Sequence, residues 1–305
     1  MGWALALATA NVAVAMGQSA TVTPAPTSFA TPEAGARALA QAAKAEDAAS
    51  LSAILGAGAG PLVHSGDEVA DARSRQRFAQ AYAEAHRLVI NGDASETLVV
   101  GKDQWPLPIP LVKRDGGWVF DAQAGAQEIL RRRIGRNELS AMRVCKAIAA
   151  AELQYAAEHL DDDGVPVYAV RLASSPGRHD GLYWPTSPAQ PPSPLGALVA
   201  GAADEGYGGT RLATLAPYHG YYYRILTRQG KAAHGGARDY VAHGKLLGGF
   251  AVLAYPARYR ASGVMSFMVD RDGTVYAKDL GNGTGKVAAS IVSFDPDPGW
   301  RKESP

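Results

Sequence analysis

The sequence predicts an α+β protein in which N-terminal helices are followed by an antiparallel meander, and one long helix then packs on a second antiparallel sheet. Three observations carry this. Apolar residues recur at helical spacing between Thr31 and Glu84, and again along the alanine-rich stretch Asn137 to Leu160, NELSAMRVCKAIAAAELQYAAEHL. Short runs of branched and aromatic residues follow each helical region. Arg114-Asp115-Gly116-Gly117 and Asp270-Arg271-Asp272-Gly273 supply the turns that fold neighbouring runs into hairpins. With 305 residues, 47% of them hydrophobic, the chain can fill one large core or two of ordinary size.

In chain order, Trp3 to Ala15 is an apolar run of signal-peptide length, and Ala13-Val14-Ala15 offers an A-x-A cleavage site. Residues 1–17 are therefore expected to be a signal peptide, and the mature protein periplasmic or secreted. No Lys or Arg precedes Arg37, so the basic n-region is missing, and a buried or disordered tail is the alternative. Residues 18–28, rich in Thr, Pro, Ala and Ser, read as a flexible linker. No later apolar run approaches the ~18 residues of a membrane span, so no transmembrane segment is expected in the mature chain.

The first folded region is expected over residues 29–130. Thr31-Pro32-Glu33 combines an N-cap, a proline at the first helical position and an acid in the first turn. A second helix over Ala49 to Leu55 ends at Gly56, and a third spans Asp67 to Glu84. The glycine run 56–60 lacks the preceding strand and following Lys-Ser/Thr of a phosphate loop, so it reads as a cap and loop. Strands are expected at Arg87 to Asn91, Glu96 to Val100, Leu107 to Lys113 and Gly117 to Asp121. Residues 104–110 hold three prolines, which remove ladder donors and make the segment an edge or a rim loop.

Residues 127–136 read as the join to a second region, 131–305. Arg131, Arg132, Arg133 and Arg136, with Arg143 and Lys146, form a basic shoulder that is either a solvated helix face ending at Gly135 or a contact for an anionic surface. Asn137 is then the cap of the long helix, with Leu139, Met142, Cys145, Ala149, Leu153 and Ala156 as its apolar stripe. Cys145 is the only cysteine, which excludes an intrachain disulfide, a cysteine zinc cluster and a CxxC pair, and a lone thiol on an apolar stripe reads as core. The proline- and glycine-rich segment 174–217 is a large packed insertion or a binding loop. Strands follow at Gly220 to Thr227, Phe250 to Tyr255, Gly263 to Val269 and Thr274 to Lys278.

The Thr-Pro-Glu helix start and the hairpin ending Gly-Gly-Trp-Val-Phe-Asp resemble the nuclear-transport-factor-two-like cone fold over residues 29–130. Such a resemblance implies a small-ligand cone, or an enzyme with a buried Asp or His, for which His64, His86 and Asp103 are the candidates. The long helix with Asn-Glu near its start, followed by Gly-Tyr-Tyr-Tyr-Arg-Ile, Phe-Ala-Val-Leu-Ala-Tyr-Pro and Ser-Phe-Met-Val-Asp-Arg-Asp-Gly, is similar to the globular part of type IV pilins and type II secretion pseudopilins. The apolar half-helix and peptidase site of pilins are missing, so the chain is not expected to be a self-polymerising pilin. Taken end to end, with FATPEAGARAL, VVGKDQWPLPIPLVKRDGGWVFD, RRIGRNELSAMRVCKA, GLYWP, PYHGYYYRIL and GGFAVLAYPARY, it resembles an uncharacterised bacterial exported family, domain of unknown function 2950. That resemblance implies an envelope location and brings no activity with it.

A net charge of +1, from 30 basic and 29 acidic residues, supplies no field for a polyanion and argues against nucleic acid as the main partner. No hydrolase elbow, zincin helix, phosphate loop or dinucleotide fingerprint is present, and no cofactor is expected. Asp161-Asp162-Asp163-Gly164 offers Asp161 and Asp163 as weak metal candidates, since Val165 and Val167 interrupt the calcium-loop alternation. The most site-like environment is Pro-Tyr-His-Gly-Tyr-Tyr-Tyr, where His219 beside Tyr221 could stack on a ligand or accept a proton, with Tyr183 and Trp184 as loop aromatics. A hydrogen-bonded structural histidine is the plainer reading. The expectation is an exported binding or assembly module whose partner is an envelope protein or polymer. The alternative is a periplasmic hydrolase or small-ligand enzyme acting near His219 or in the N-terminal cone.

Overall fold

The computed structural model describes residues 26–187, 190–208 and 216–303, and the expected signal peptide and most of the linker lie outside them. The described end of that linker is docked rather than free, since Thr27 donates from both its backbone N–H and its hydroxyl to the Ala53 carbonyl.

The fold is α+β. Helices α1 (Pro32–Lys44), α2 (Ala48–Leu55), the single turn α3 (Gly60–Val63) and α4 (Glu68–Glu84) come first. Each of the three longer ones starts on a side-chain cap, Thr31, Asp47 or Asp67, whose oxygen accepts an N–H of the first turn. Strands β1 (His86–Ile90), β2 (Ser95–Val100), β3 (Trp105–Pro106), β4 (Leu111–Arg114) and β5 (Gly117–Phe120) form an antiparallel sheet ordered β1-β2-β4-β5, with β3 also on β2. The expected strand from Leu107 to Lys113 forms only at its end. Pro106, Pro108 and Pro110 break the ladder, while Leu107 and Ile109 turn inward and are buried. Asp115 and Gly116 take left-handed φ values of 50° and 82° at the predicted hairpin turn.

Helix α5 spans Ala122–Glu158 without interruption, 37 residues and roughly 55 Å at 1.5 Å per residue. Its cap is Asp121, so neither Asn137 nor Gly135 ends or begins a helix, and residues 127–136 are helical rather than a loop. The reason is local: a good cap at Asp121 and a run of strong helix formers with no proline leave nothing to stop the helix. Ala122 and Gly125 pack into the first core, where a Cβ at Gly125 would collide with the Pro108 carbonyl. Residues 141–156 pack into the second, and the helix thus belongs to both.

The second sheet runs β14-β13-β12-β11-β6, from Arg301–Lys302, Val275–Asp279, Met265–Asp270, Ala251–Pro256 and Tyr221–Leu226 respectively. Two short ribbons, β7 (Arg228–Gln229) with β8 (Arg238–Asp239) and β9 (Val241–Ala242) with β10 (Lys245–Leu246), flank it. Helix α6 (Gly196–Asp204) lies inside the proline-rich segment, and α7 (Thr284–Ser290) follows β13. Both faces of this sheet are covered. Val252, Ala254, Phe267 and Val269 face α5, while Ala251, Leu253 and Met268 join Ala288 of α7 and Trp300. That explains the unbroken apolar run of β11, since a strand buried on both sides does not alternate.

The inner stripe of α5 is not quite the expected one. Cys145, Ala149 and Ala156 are buried and Met142 packs at the edge, but Leu139 and Leu153 are 59% and 45% exposed. Val144, Ile148, Glu152 and Tyr155 take the facing positions instead. The helix presents to the sheet a face that includes two carboxylates, buried Glu152 and, nearer its middle, Glu138, whose Oε1 accepts the Val264 and Met265 N–H groups.

Candidate functional site

The expected site residues fall into two separate aromatic groups. Trp184 stacks on His179 at 4.2 Å and meets His159 edge-on, while His159 stacks on Tyr155 at 3.8 Å, so Trp184 closes a packed corner beside α5. Tyr183 packs next to it against the second core, its backbone N–H and carbonyl bonded to Leu172 and Ser174. His219 belongs to the other group, with Tyr207 at 5.8 Å and Tyr218 at 4.1 Å. Tyr221 is fully buried, and its hydroxyl donates to the Met265 carbonyl.

His219 has a left-handed φ of 50°, uncommon for a non-glycine residue, and Gly220 follows at 76°. What holds this corner is Asp67. One carboxylate oxygen caps α4 through the Ala70 N–H, and the other accepts the Tyr207 hydroxyl at 2.8 Å and the Gly220 N–H at 2.7 Å. The His219 imidazole lies 3.5 Å from Glu205, which also pairs with Arg73 at 3.2 Å. Burial pushes the His219 pKa down, against the pull of Glu205 and Asp67, and burial together with Asp67 pushes the Tyr207 hydroxyl far up. The cluster joins the start of α4 to the second sheet. Asn137 Nδ2 donating to the Ser262 carbonyl and Arg258 donating to the His64 carbonyl complete the seam.

Asp161 accepts the N–H groups of Asp163 and Val165 on one oxygen, so its carboxylate closes its own turn. Among the described residues no group of three or more metal-ligating side chains converges, there or elsewhere.

The feature that sequence reasoning did not find lies in the first core. A cavity of about 400 Å³ opens between α1, α2, α4, the start of α5 and the sheet. This is within the range of ~300–1,000 Å³ typical of small-molecule sites. Its walls are aliphatic and aromatic, with Leu39, Leu51, Leu55, Phe78, Val100 and Leu107 among them, and Trp105 beside them from the proline-rich segment. Its polar lining is Asp71, Ser74 and five arginines: Arg75 and Arg77 from α4, and Arg132, Arg133 and Arg136 from α5. Arg77, Arg132 and Arg136 are exposed and mark the mouth, while Arg75 and Arg133 are half-buried. Of the expected cone candidates, His64, His86 and Asp103 are all outside the lining. His86 instead stacks on Tyr82 at 3.9 Å and bonds its carbonyl.

Of the five arginines, Arg132 and Arg133 are committed to partners, Arg77 donates to the Ser74 hydroxyl at 3.1 Å, and Arg75 keeps an unpartnered nitrogen. Arg133 donates to the Pro61 and Leu62 carbonyls at 2.7 and 2.6 Å and so fixes α3 over the cavity. Arg132 pairs with Glu128 at 2.6 Å. The Nε of Arg75 is buried with no hydrogen-bond partner. Asp71 accepts the Ser65 N–H at 2.8 Å, and burial raises its pKa despite that bond. The basic shoulder read from residues 131–136 therefore divides: Arg131 is exposed and pairs with Glu128, whereas Arg132, Arg133 and Arg136 turn to the cavity.

A family model described as a protein of unknown function, DUF2950, matches residues 26–303. No curated protein and no solved structure matches the chain, so the pilin-like and cone-like resemblances stay unconfirmed. No described helix is long and apolar enough to cross a membrane.

Proposed function

The chain belongs to the DUF2950 family of proteins of unknown function, and from that premise we propose that it is an exported, non-enzymatic binding module that takes the apolar part of a small ligand into its first-half cavity. The observation that carries this is the cavity itself. A half-open cleft of about 400 Å³ lined by leucine, phenylalanine and tryptophan leaves apolar surface against water, which the apolar part of a ligand would cover. Export rests on the apolar run Trp3 to Ala15 with its A-x-A site. The occupant would be drawn from the envelope, whether free or presented by an envelope polymer or protein.

Titration with N-phenyl-1-naphthylamine, a neutral dye that fluoresces in apolar sites, tests the reading. Saturable fluorescence at one site per chain is expected, and Ala81→Phe, which fills the lining from α4, should abolish it. A dye response that does not saturate, or that Ala81→Phe leaves intact in a folded protein, ends the proposal.

The second reading, an enzyme acting at His219, draws on the left-handed backbone there and on Glu205 beside the imidazole. It is the weaker one because Asp67, the buried acid of the cluster, already holds three donors, and Glu205 beside the imidazole is shared with Arg73. Full rescue of a deletion phenotype by a folded His219→Ala variant would remove it.

A further inference from the structure

We propose that the arginine mouth of the cavity recognises an anionic head group, and that the ligand is a single-chain alkyl or acyl amphiphile whose head is a phosphate-type anion. This rests on the reading of the cavity as a binding site and adds the chemistry of its occupant.

Two separate helices deliver the charge. Arg75 and Arg77 come from the middle of α4, and Arg132, Arg133 and Arg136 from the third and fourth turns of α5. Setting these side by side places like charges together: burial first, and then the nearby Arg136 and Arg73, push the Arg77 pKa down. Only one carboxylate, Asp71, lies in the lining, and it is held by the Ser65 N–H. Among the described residues neither Arg77 nor Arg136 has a carboxylate within 4.0 Å, and the buried Nε of Arg75 has no acceptor. A buried guanidinium nitrogen without an acceptor is costly. The arrangement is therefore incomplete without an anion. Guanidinium forks match the oxygens of phosphate and carboxylate, and two or three converging forks favour the head with more anionic oxygens.

The apolar walls specify the rest of the molecule. Beside the aliphatic and aromatic walls of Leu39, Leu51, Leu55, Phe78 and Leu107, the lining side chains that can hydrogen-bond are the arginines, Ser74, Asp71 and the Trp105 indole. A polar body such as a sugar or peptide would lose its hydration there without replacement, whereas a hydrocarbon chain would not. The cavity and its mouth together fit an amphiphile entering tail first.

The test uses the full chain and ligands below their micelle-forming concentrations. Decyl phosphate, decanoate, decanol and inorganic phosphate compete for bound N-phenyl-1-naphthylamine, and direct calorimetry with decyl phosphate supplies a reading independent of the dye. Decyl phosphate should displace the dye at a concentration at least about tenfold below that of decanol, with decanoate between them. About 0.5 M NaCl should shrink that advantage. In the Arg77→Gln/Arg136→Gln double variant, decyl phosphate should fall to the level of decanol while decanol is unchanged. Equal competition by decanol and decyl phosphate overturns the head-group inference but leaves the cavity reading standing. Inorganic phosphate competing as well as decyl phosphate overturns it too, because the tail would then contribute nothing. If the dye does not bind and calorimetry shows no heat with decyl phosphate, both the inference and the cavity reading fall.

Discussion

The first core, between α1, α2, α4 and the β1–β5 sheet, is cut by a half-open cleft of about 400 Å³, whereas Ile148, Tyr221, Val252 and Phe267 fill the second, between α5 and the β6–β14 sheet. The contrast follows from which side chains the helices turn inward. α5 offers Val144, Ile148 and Tyr155 to a sheet apolar on both faces. α4 has one buried residue, Asp71, and turns Ser74 and Arg75 towards a space that hydrophobic residues would otherwise close. A local departure from good core chemistry is the pattern expected where a protein has kept a place for something else. In the proposed reading the second half, which holds Tyr183, Trp184, His219 and Tyr221, serves as the scaffold.

The comparison breaks most visibly under truncation. Ile148→Ala should cost about 4 kcal/mol, because a fully enclosed side chain leaves a hole its neighbours cannot fill. Leu39→Ala should cost only about 2 kcal/mol, because that buried side chain lines the cleft, and water or repacking there can take up part of the space it leaves. Urea unfolding of both variants checks the difference, and equal costs would mean that the first core closes in solution.

The seam between the halves should come next. Asp67→Ala removes a helix cap and two further bonds to a buried carboxylate. A loss of about 3 kcal/mol is expected. The halves should also begin to melt apart, visible by calorimetry as a broadened or split transition. A single sharp transition with unchanged Tm would show that Asp67 does not join them.

Glu152 sharpens the account of the second core. It is fully buried, accepts the Ala169 N–H on one oxygen and has no partner for the other, and burial pushes its pKa up to about 8. The unfolded chain releases this proton near 4.5, the folded chain near 8, so this residue's contribution is whole below 4.5 and is lost as pH rises to about 8. Glu152→Gln keeps the acceptor and cannot ionise. Its stability relative to wild type should therefore grow by a few kcal/mol between pH 5 and pH 8. A difference that stays flat with pH would show that the carboxyl is not held neutral. Smallest of all should be Glu205→Gln, below about 1 kcal/mol, since Arg73 and Glu205 are 40% and 34% exposed. A larger loss would mean that the His219 corner bears more of the seam than Asp67 leaves to it.

Much of the fold was legible because its signals are local. Thr31 and Asp67 cap the helices their sequences announce, and the hairpins at Asp115-Gly116 and Asp270 to Gly273 form where turn chemistry requires. The sequence places the start of α5 fifteen residues late because the helix's continuity depends on Asp121 as a cap and on no stop signal thereafter, while Gly135 and Asn137 carry the local marks of a helix end and start. Leu139 and Leu153 were placed inside because a periodic pattern cannot tell which of two adjacent stripes meets the sheet. The site was hardest to see. Arg132, Arg133 and Arg136 stood out as a charged run, but Arg75 and Arg77 lie 55 or more residues away, and only tertiary packing gathers them around one space. Arginine on the same side of α4 as Phe78 and Ala81 was the one signal available.

Crystals of the full chain pressurised with xenon would show whether the first core keeps an apolar space, since xenon settles in apolar pockets without needing a charge. The account predicts a xenon peak between Leu39, Leu55, Phe78 and Val100, and none between Ile148 and Phe267. A first half with its cavity collapsed and free of xenon, or a peak confined to the second core, would contradict it.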